Sequence, residues 1–308
     1  MQFIIFTMLI PCTISALFVY FVILFAKRHN LYDDVGGRKI HSGKIPRLGG
    51  IGFFFAFVVS VFITSFTFPG SIVITRQFTA IIIGGCLIFF MGLWDDLKNW
   101  RAIHKLIIQL IAAGIVAYAG FRFTRISFAP LGLFIPFGIF AYPITVLWVA
   151  GVTNAVNLMD GIDGQVGCLS VSLLISYIVL FFKDAPPYFS MIYSCIILAA
   201  AIIGFLFFMI AAIWRRVREK RPIREGDRMH LHHKLMLIGY SPRGALVVVM
   251  TLQIIIDIFV TLAVISQGLM ALVTLIGLLL VGILFFAIIH FEKEKLIQHD
   301  AASTENTQ

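Results

Sequence analysis

The segment FIIFTMLIPCTISALFVYFVILFA, from Phe3 to Ala26, is 24 residues long and carries no charged side chain. About 20 apolar residues in an α-helix are enough to cross the hydrocarbon core of a membrane. No basic residue precedes this segment, and Lys27 and Arg28 follow it, whereas a cleaved signal peptide begins with basic residues. We therefore expect a transmembrane helix whose N-terminus lies outside the cytoplasm.

Similar apolar runs recur along the whole chain. Of its 308 residues, 60% are hydrophobic and 13% are charged, whereas soluble proteins are about half apolar and about a quarter charged. This composition excludes a water-soluble enzyme, a disordered protein and a nucleic-acid-binding module. It predicts an all-α, polytopic integral membrane protein with about nine spans. The predicted spans are Phe3–Ala26, Gly49–Phe68, Phe78–Trp94, Ile103–Phe121, Gly138–Val156, Val166–Phe182, Pro187–Trp214, Gly244–Ile265 and Leu269–His290.

The basic residues lie almost entirely on one side of these spans. With the N-terminus outside, 20 of the 24 Lys and Arg residues fall on the cytoplasmic side, counting Lys105 at the cytoplasmic end of its predicted span, as the positive-inside rule favours. We expect one transmembrane domain over residues 1–298 and a polar, disordered cytoplasmic tail over residues 299–308. The cytoplasmic segments are Lys27–Leu48, Asp95–Ala102, Asn157–Gln165, Arg215–Arg243 and the tail from Phe291.

Acidic residues are almost absent from the spans. Asp257 alone falls inside one, and a transporter is expected to keep ionisable groups at mid-membrane depth. A transporter built around Asp257 is therefore an alternative with little support. The cysteines lie in apolar stretches without metal-ligand spacing, so we interpret them as packing residues. They are Cys12, Cys86, Cys168 and Cys195.

The first cytoplasmic loop contains the basic sequence RKIHSGKIPRLGG, from Arg38 to Gly50. Its basic side chains could bind phosphate oxygens, and its glycines would let a ligand approach the backbone. The alternative is an ordinary basic loop that only fixes the orientation in the membrane. The candidate binding residues are Arg38, Lys39, His41 and Arg47.

Two adjacent carboxylates, Asp95 and Asp96, lie in GLWDDLKNWRAIHK at the cytoplasmic end of the third predicted span. Paired negative charges so close to hydrocarbon repel each other and are costly unless a cation lies between them. Mg²⁺ suits an all-oxygen site that also meets a phosphate. The alternative is a solvated turn neutralised by Lys98 and Arg101.

The sequence TNAVNLMDGIDG, from Thr153 to Gly164, places Asp160 and Asp163 on one face if the segment is helical. This loop has no Lys or Arg, so the positive-inside rule does not explain it. Asn154 and Asn157 add neutral donors and acceptors upstream of the acids. We therefore expect an acidic binding site here.

The sequence EGDRMHLHHKL, from Glu225 to Leu235, contains three histidines within four residues: His230, His232 and His233. Their spacing matches no common structural zinc pattern, and neighbouring basic residues favour binding of an anion or a sugar. Together, the four loops suggest a cytosolic nucleotide diphosphate, a divalent metal and a bilayer lipid as the substrate set.

In this order and spacing, GLWDDLKNWRAIHK, NAVNLMDGIDG and HLHHKLMLIG resemble the polyprenyl-phosphate N-acetylhexosamine-1-phosphate transferases of glycosyltransferase family 4. RKIHSGKIPRLGG resembles that family's first cytoplasmic loop. The resemblance covers the chain from about Asp33 to Gly239. HLHHK is similar to the UDP-N-acetylglucosamine branch, whereas the UDP-N-acetylmuramoyl-pentapeptide branch usually carries three consecutive histidines.

The resemblance implies an enzyme of the bacterial inner membrane that transfers N-acetylhexosamine 1-phosphate from a UDP-sugar to undecaprenyl phosphate. It implies Mg²⁺ or Mn²⁺ as the cofactor, UMP as a product and the start of a lipid-linked cell-envelope glycan. Asp95, Asp96, Asp160 and Asp163 correspond to the family's catalytic acids, and Lys105 to its following lysine. We expect Asp96, Asp160 and Asp163 to serve the metal or to orient the nucleotide, and Asp95 to contact the lipid phosphate. The chain could form a homodimer.

One family motif is missing from the sequence. The family has a further cytoplasmic loop, between its DGxDG and histidine motifs, with a GDxGS sequence whose aspartate helps to hold the metal. Between Gly164 and Trp214 this chain carries only Lys183 and Asp184 as charged residues, and the predicted topology places both outside. The over-long span Pro187–Trp214 is similar to the start of one family helix joined to the end of a later one. A catalytically impaired homologue acting as a scaffold, and a UDP-N-acetylmuramoyl-pentapeptide transferase, therefore stay open as alternatives.

Overall fold

The computed structural model is a bundle of helices. It describes residues 2–28, 50–98, 100–128, 132–159, 164–182, 185–218, 235–236, 238–266, 269–285 and 287. Within these residues, eight helices are long and apolar enough to cross a membrane, and Leu269–Phe285 is a shorter apolar helix. The prediction of an all-α polytopic membrane protein is confirmed. The predicted tail lies outside the described residues.

Nine helices, numbered here in chain order, correspond to the nine predicted spans. The first, α1, consists of Gln2–Ile4, a π-helical turn at Ile5–Leu9 and Ile10–Arg28. Pro11 has no N–H to bond the carbonyl of Thr7, which accounts for the irregular turn. The others are α2 (Gly50–Thr67), α3 (Arg76–Lys98), α4 (Ala102–Ala119), α5 (Ala141–Met159), α6 (Gln165–Phe182), α7 (Ala185–Arg218), α8 (Pro242–Ile265) and α9 (Leu269–Phe285).

A β-hairpin that the sequence analysis did not predict connects α4 to α5. Its strands, β1 (Arg125–Phe128) and β2 (Leu133–Pro136), pair antiparallel. Gly132, with φ of 60°, stands at the turn, where a residue without a Cβ is favoured. The strands are four residues each, which is too short for a clear alternating pattern in the sequence.

Helix α7 lies at the centre of the larger group of helices. It packs against α1, α2 and α6, and α8 packs on the free side of α6. Helices α3, α4 and α5 form a consecutive row beside this group. A buried cluster of Val61, Ile72, Phe78 and Ile197 joins the row to the group.

Several helices continue further than the predicted spans, and two of these extensions contain predicted site residues. Helix α3 runs to Lys98, so Asp95 and Asp96 lie in its last turns rather than in a loop. No Gly or Pro follows Gly92 before the helix ends, and Lys98 is favourable at a helix C-terminus. Helix α5 likewise runs to Met159, so Asn157 is helical and not part of a loop.

Helix α7 is a single continuous helix of 34 residues. At 1.5 Å per residue it is about 51 Å long, against about 30 Å for the hydrocarbon core. The part that is apolar enough to cross the membrane is Phe189–Phe207. The predicted over-long span is therefore confirmed, and the helix continues for eleven residues beyond that part, to Arg218.

Candidate active site

Asp95 and Lys105 form an ion pair at the junction between α3 and α4. Lys105 Nζ donates to Asp95 Oδ2 at 2.7 Å, and the backbone N–H of Trp100 donates to Asp95 Oδ1 at 2.8 Å. The side chains are 28% and 23% exposed, so water still reaches both. The pair therefore fixes the direction of both side chains more than it stabilises the fold.

Asp96 lies in a different environment from its neighbour. Successive residues of a helix point about 100° apart, and the side chain of Asp96 is exposed. The structure thus separates the two adjacent carboxylates that the sequence could only treat as a pair. Asp95 is half-buried, and Asp96 is exposed near the end of α3.

Aromatic side chains surround the turn between α3 and α4. The rings of Trp94 and Trp100 lie 6.1 Å apart, and those of Trp100 and His104 lie 5.7 Å apart. The ammonium group of Lys98 lies 4.8 Å above the ring of Trp94. Tryptophan is favoured at membrane–water interfaces, so this cluster indicates that Asp95 lies close to the membrane surface.

Asn154 is bound by a residue that the sequence analysis missed. Its Nδ2 donates to Gln109 Oε1 at 2.7 Å and to the carbonyl of Ala150 at 3.2 Å. Gln109 is only 3% exposed. It follows Lys105 by four residues, so both lie on one face of α4. A glutamine in an apolar span, one turn after the lysine predicted to belong to the site, was the available signal.

Helix α4 therefore contacts two of the predicted motifs at once. We call Asp95, Lys105, Gln109 and Asn154 the α4 cluster. Lys105 and Gln109 are separated by about 6 Å along the helix axis. The carboxylate motif of α3 and the asparagine motif of α5 thereby contact positions on α4 that are about one helical turn apart.

Most other predicted site residues fall outside the part of the chain that the structure describes. Asn157 is described, and its side chain is exposed on the last turns of α5. The residues outside the described part are Arg38, Lys39, His41, Arg47, Asp160, Asp163, His230, His232 and His233. The segments that flank them are placed, since α6 begins directly after Gly164 and α8 begins at Pro242.

Among the described residues, no group of three or more His, Cys, Asp or Glu residues could hold a metal ion. Of the three predicted metal ligands, only Asp96 is described. Its exposed carboxylate is a hard oxygen donor at the membrane surface, which is the chemistry that Mg²⁺ and Mn²⁺ prefer. Asp95 fits a metal less well, because both of its oxygens accept hydrogen bonds from the protein.

Comparisons with known proteins agree with the motifs. The family model of glycosyl transferase family 4 matches residues 78–213. A probable undecaprenyl-phosphate N-acetylglucosaminyl 1-phosphate transferase of Bacillus subtilis is 28% identical, over 73% of this chain and 75% of the relative. An undecaprenyl-phosphate alpha-N-acetylglucosaminyl 1-phosphate transferase of Yersinia pestis is 26% identical, over 76% and 77%. A phospho-N-acetylmuramoyl-pentapeptide-transferase of Clostridium perfringens is 30% identical, over 56% of each chain.

The matched region contains the α4 cluster and extends through α7. The apolar helices and the names of these relatives both agree with a membrane-bound phosphotransferase. These matches confirm the resemblance that the motifs indicated, and they relate this membrane protein to the phosphotransferases of glycosyl transferase family 4.

Proposed function

We propose that the chain transfers N-acetylhexosamine 1-phosphate from a UDP-sugar to undecaprenyl phosphate and releases UMP. The α4 cluster carries this proposal, because it joins a cation and a carboxylate to an amide pair at one end of the bundle. The names of the Bacillus subtilis and Yersinia pestis relatives support undecaprenyl phosphate as acceptor and N-acetylglucosamine as the sugar.

The reaction needs positioning and charge neutralisation more than a strong base. The second pKa of a phosphate monoester is about 6, so the acceptor is mostly dianionic at pH 7. One of its oxygens forms a bond to the sugar-linked phosphorus of the donor, and the bond from that phosphorus to the UMP oxygen breaks. Phosphoryl transfer of this kind depends mainly on orientation and electrostatics.

Lys105 is the described cation best suited to a phosphate oxygen. Asp95 and the N–H of Trp100 define its position, and its side chain is partly exposed. Asp95 would orient Lys105 towards the lipid phosphate. Asn154 and Asn157 would bind sugar or nucleotide oxygens, as would His230, His232 and His233. The basic loop with Arg38, Lys39, His41 and Arg47 would bind phosphate oxygens.

Asp96, Asp160 and Asp163 would hold Mg²⁺ or Mn²⁺. When bound, the ion would neutralise charge on the diphosphate. The location that follows is the bacterial inner membrane, with the C-terminus and all four motif-bearing loops in the cytoplasm. A homodimer is compatible with this assignment.

A catalytically impaired homologue is the second candidate function. Helix α7 continues from Ala185 to Arg218 without a break, and the sequence there lacks the GDxGS loop that the resemblance leads us to expect. The alignment with the Bacillus subtilis relative is 275 positions long, but it contains only 73% of this chain, which is about 225 of the 308 residues. The remaining positions of the alignment are gaps in this chain. This agrees with a segment of the relative that has no counterpart here.

The proposal is tested by measuring UMP release from purified protein in lipid nanodiscs. UDP-N-acetylglucosamine and UDP-N-acetylmuramoyl-pentapeptide are offered as donors, with undecaprenyl phosphate as acceptor. We expect release from the first donor, lost in Asp96→Asn and kept in Asp184→Asn as a matched acid control. Release from the pentapeptide donor alone would mean that the transferred sugar is N-acetylmuramoyl-pentapeptide and not N-acetylglucosamine. No release from either donor would support the catalytically impaired homologue.

A further inference from the structure

Asp257 is a buried carboxylate within α8 that the proposed chemistry does not use. Its side chain is 6% exposed. Gln253 Nε2 donates to Asp257 Oδ1 at 2.7 Å, and the hydroxyl of Ser172 on α6 donates to Asp257 Oδ2. The sequence analysis identified Asp257 only as the single acid inside a predicted span, and the structure adds its partners, one turn away on α8 and on the neighbouring α6.

No described residue forms an ion pair with Asp257. A carboxylate in a membrane span is costly, and such groups persist mainly where they have a function. The donors from Gln253 and Ser172 satisfy one oxygen each. Asp257 thus has one hydrogen bond within α8 and one that joins α8 to α6.

The two helices that Ser172 and Asp257 join both begin at predicted catalytic loops. Helix α6 starts directly after the loop of Asp160 and Asp163, and Ser172 lies about 10 Å along it. Helix α8 starts shortly after the histidine loop, and Asp257 lies about 22 Å along it. A bond between these two points fixes the depth and rotation of one helix relative to the other.

The apolar packing at the start of α8 does not supply this link. Ala245 and Val249 form a buried cluster with Leu235, supported by side chains of the preceding segment and by Phe285 of α9. No α6 residue belongs to that cluster among the described residues. The polar contact of Asp257 is therefore a specific connection between the two helices that carry the loops.

We propose that Asp257 is a positioning residue whose hydrogen bond to Ser172 holds α6 and α8, the helices that follow the acidic and histidine motifs, in a fixed position relative to each other. The proposal rests on the proposed function for its effect on turnover. The position of α6 relative to α8 can also be measured directly, in a protein that carries out no reaction.

Four variants separate positioning from simple stabilisation. Asp257→Leu and Ser172→Ala remove the interhelical bond, whereas Asp257→Asn can still pair with both neighbours. Thr251→Val is the matched control, since Thr251 is an exposed polar residue of the same helix. Displacement of reacting groups by about 1 Å can cost about 100-fold in rate. We expect kcat for UMP release, per folded molecule, to fall at least tenfold in the first two variants and to stay near the parent value in the others.

A distance measurement gives a readout that does not depend on activity. Spin labels are placed at Ile175 of α6 and at Tyr240 before α8, both exposed, after replacement of the native cysteines by alanine. We expect a shifted or broadened distance distribution in Asp257→Leu and the parent distribution in Asp257→Asn. An unchanged distribution in Asp257→Leu, or a lowered thermal midpoint with normal kcat, would overturn the proposal. A shifted distribution in a chain that never releases UMP would keep the helix positioning and reject the proposed function.

Discussion

The ammonium group of Lys105 has a defined direction because the carboxylate that it binds, Asp95, is itself held by the backbone N–H of Trp100. Asp95 accepts from Trp100 on one oxygen and from Lys105 on the other. Both charged side chains remain about a quarter exposed. A pair of this kind contributes at most about 1 kcal/mol to stability, so its main effect is geometric.

Replacing Lys105 by methionine should therefore impair the reaction without unfolding the protein. We expect kcat/KM for UMP release to fall by about 100-fold, because a positioned charge is lost from phosphoryl transfer. The thermal unfolding midpoint should change little. Steady-state kinetics and a melting curve on the same preparation measure both quantities.

Lys98→Met is the matched control for that experiment. Lys98 lies over the ring of Trp94 rather than on Asp95, so its loss should leave kcat/KM within a few-fold of the parent. Equal losses in the two variants would indicate a general effect of positive charge, not a specific contact of Lys105.

Gln109 and Asn154 should behave as a coupled pair. Gln109→Leu removes one of the two acceptors of the half-buried Asn154 amide, which costs about 0.5–1.5 kcal/mol in stability or transition-state energy. We expect Gln109→Leu and Asn154→Leu each to raise KM for the UDP-sugar, and the double variant to lose less than the sum. Gln109→Glu keeps an acceptor for Asn154 and serves as the conservative control. Strict additivity in the double-mutant cycle would exclude a direct interaction.

Sequence reasoning works for residues whose chemistry is local and fails for contacts between distant segments. Asp160 and Asp163 are conspicuous because their loop has no basic residue. Gln109 could be found by counting one turn on from Lys105. The contact of Asp257 with Ser172 could not be found in this way, since Ser172 is 85 residues away and only the packing of α6 on α8 brings the two together.

At the level of elements, α7 depends on a close approach to α1. A Cβ added at Gly204 would overlap the backbone carbonyl of Cys12 and press on the side chain of Ser15. Small residues allow helices to pack closely where the lipid supplies no hydrophobic driving force. The predicted spans matched these helices because length and hydropathy are local properties, but the β-hairpin and the extended ends of α3 and α5 depend on residues beyond the apolar runs.

Gly204→Ala should accordingly destabilise the bundle. Overpacking of a close contact typically costs about 1–3 kcal/mol, so we expect a clear drop in the thermal midpoint in detergent. Gly85→Ala is the control, because nothing lies within 4 Å of an added Cβ there. That variant should be neutral or slightly stabilising, since alanine favours helix over glycine. Equal midpoints in the two variants would contradict the close packing of α1 on α7.

Helix α7 is continuous where the resemblance leads us to expect a loop with a metal-binding aspartate. The absence of that aspartate should lower the affinity for the metal. A site with one carboxylate fewer offers fewer hard oxygen donors to offset dehydration of Mg²⁺. We expect UMP release to require unusually high Mg²⁺ or Mn²⁺, as measured by titrating the metal at saturating substrates. Full activity at sub-millimolar metal would show that the remaining acids suffice.

On the scale of the whole molecule, all proposed site residues must face one compartment. Twenty of the 24 basic residues predict that this compartment is the cytoplasm. The α3–α4 turn precedes α4 and the β-hairpin follows it, so the two lie at opposite ends of that helix. The hairpin therefore lies on the side away from the α4 cluster.

Cysteine labelling tests the orientation directly. A cysteine at Ser42 should react with an impermeant reagent only from the cytoplasmic side, and one at Ser71 only from outside. Intact and opened cells give the two measurements. The reverse pattern would leave the proposed site without access to a cytosolic UDP-sugar.

The α4 cluster has a consequence for how the protein is made. Its contacts join residues only 10 and 45 positions apart, and α3, α4 and α5 pack in the order in which they leave the ribosome. Domains assemble from the N-terminus during synthesis, and local contacts form before distant ones. The α4 cluster can thus be in place while α7 is still being translated. Helices α1 and α2 pack against each other, but their contacts with α7 must wait for that helix, so a nascent chain would carry an ordered α4 cluster next to an unfinished core.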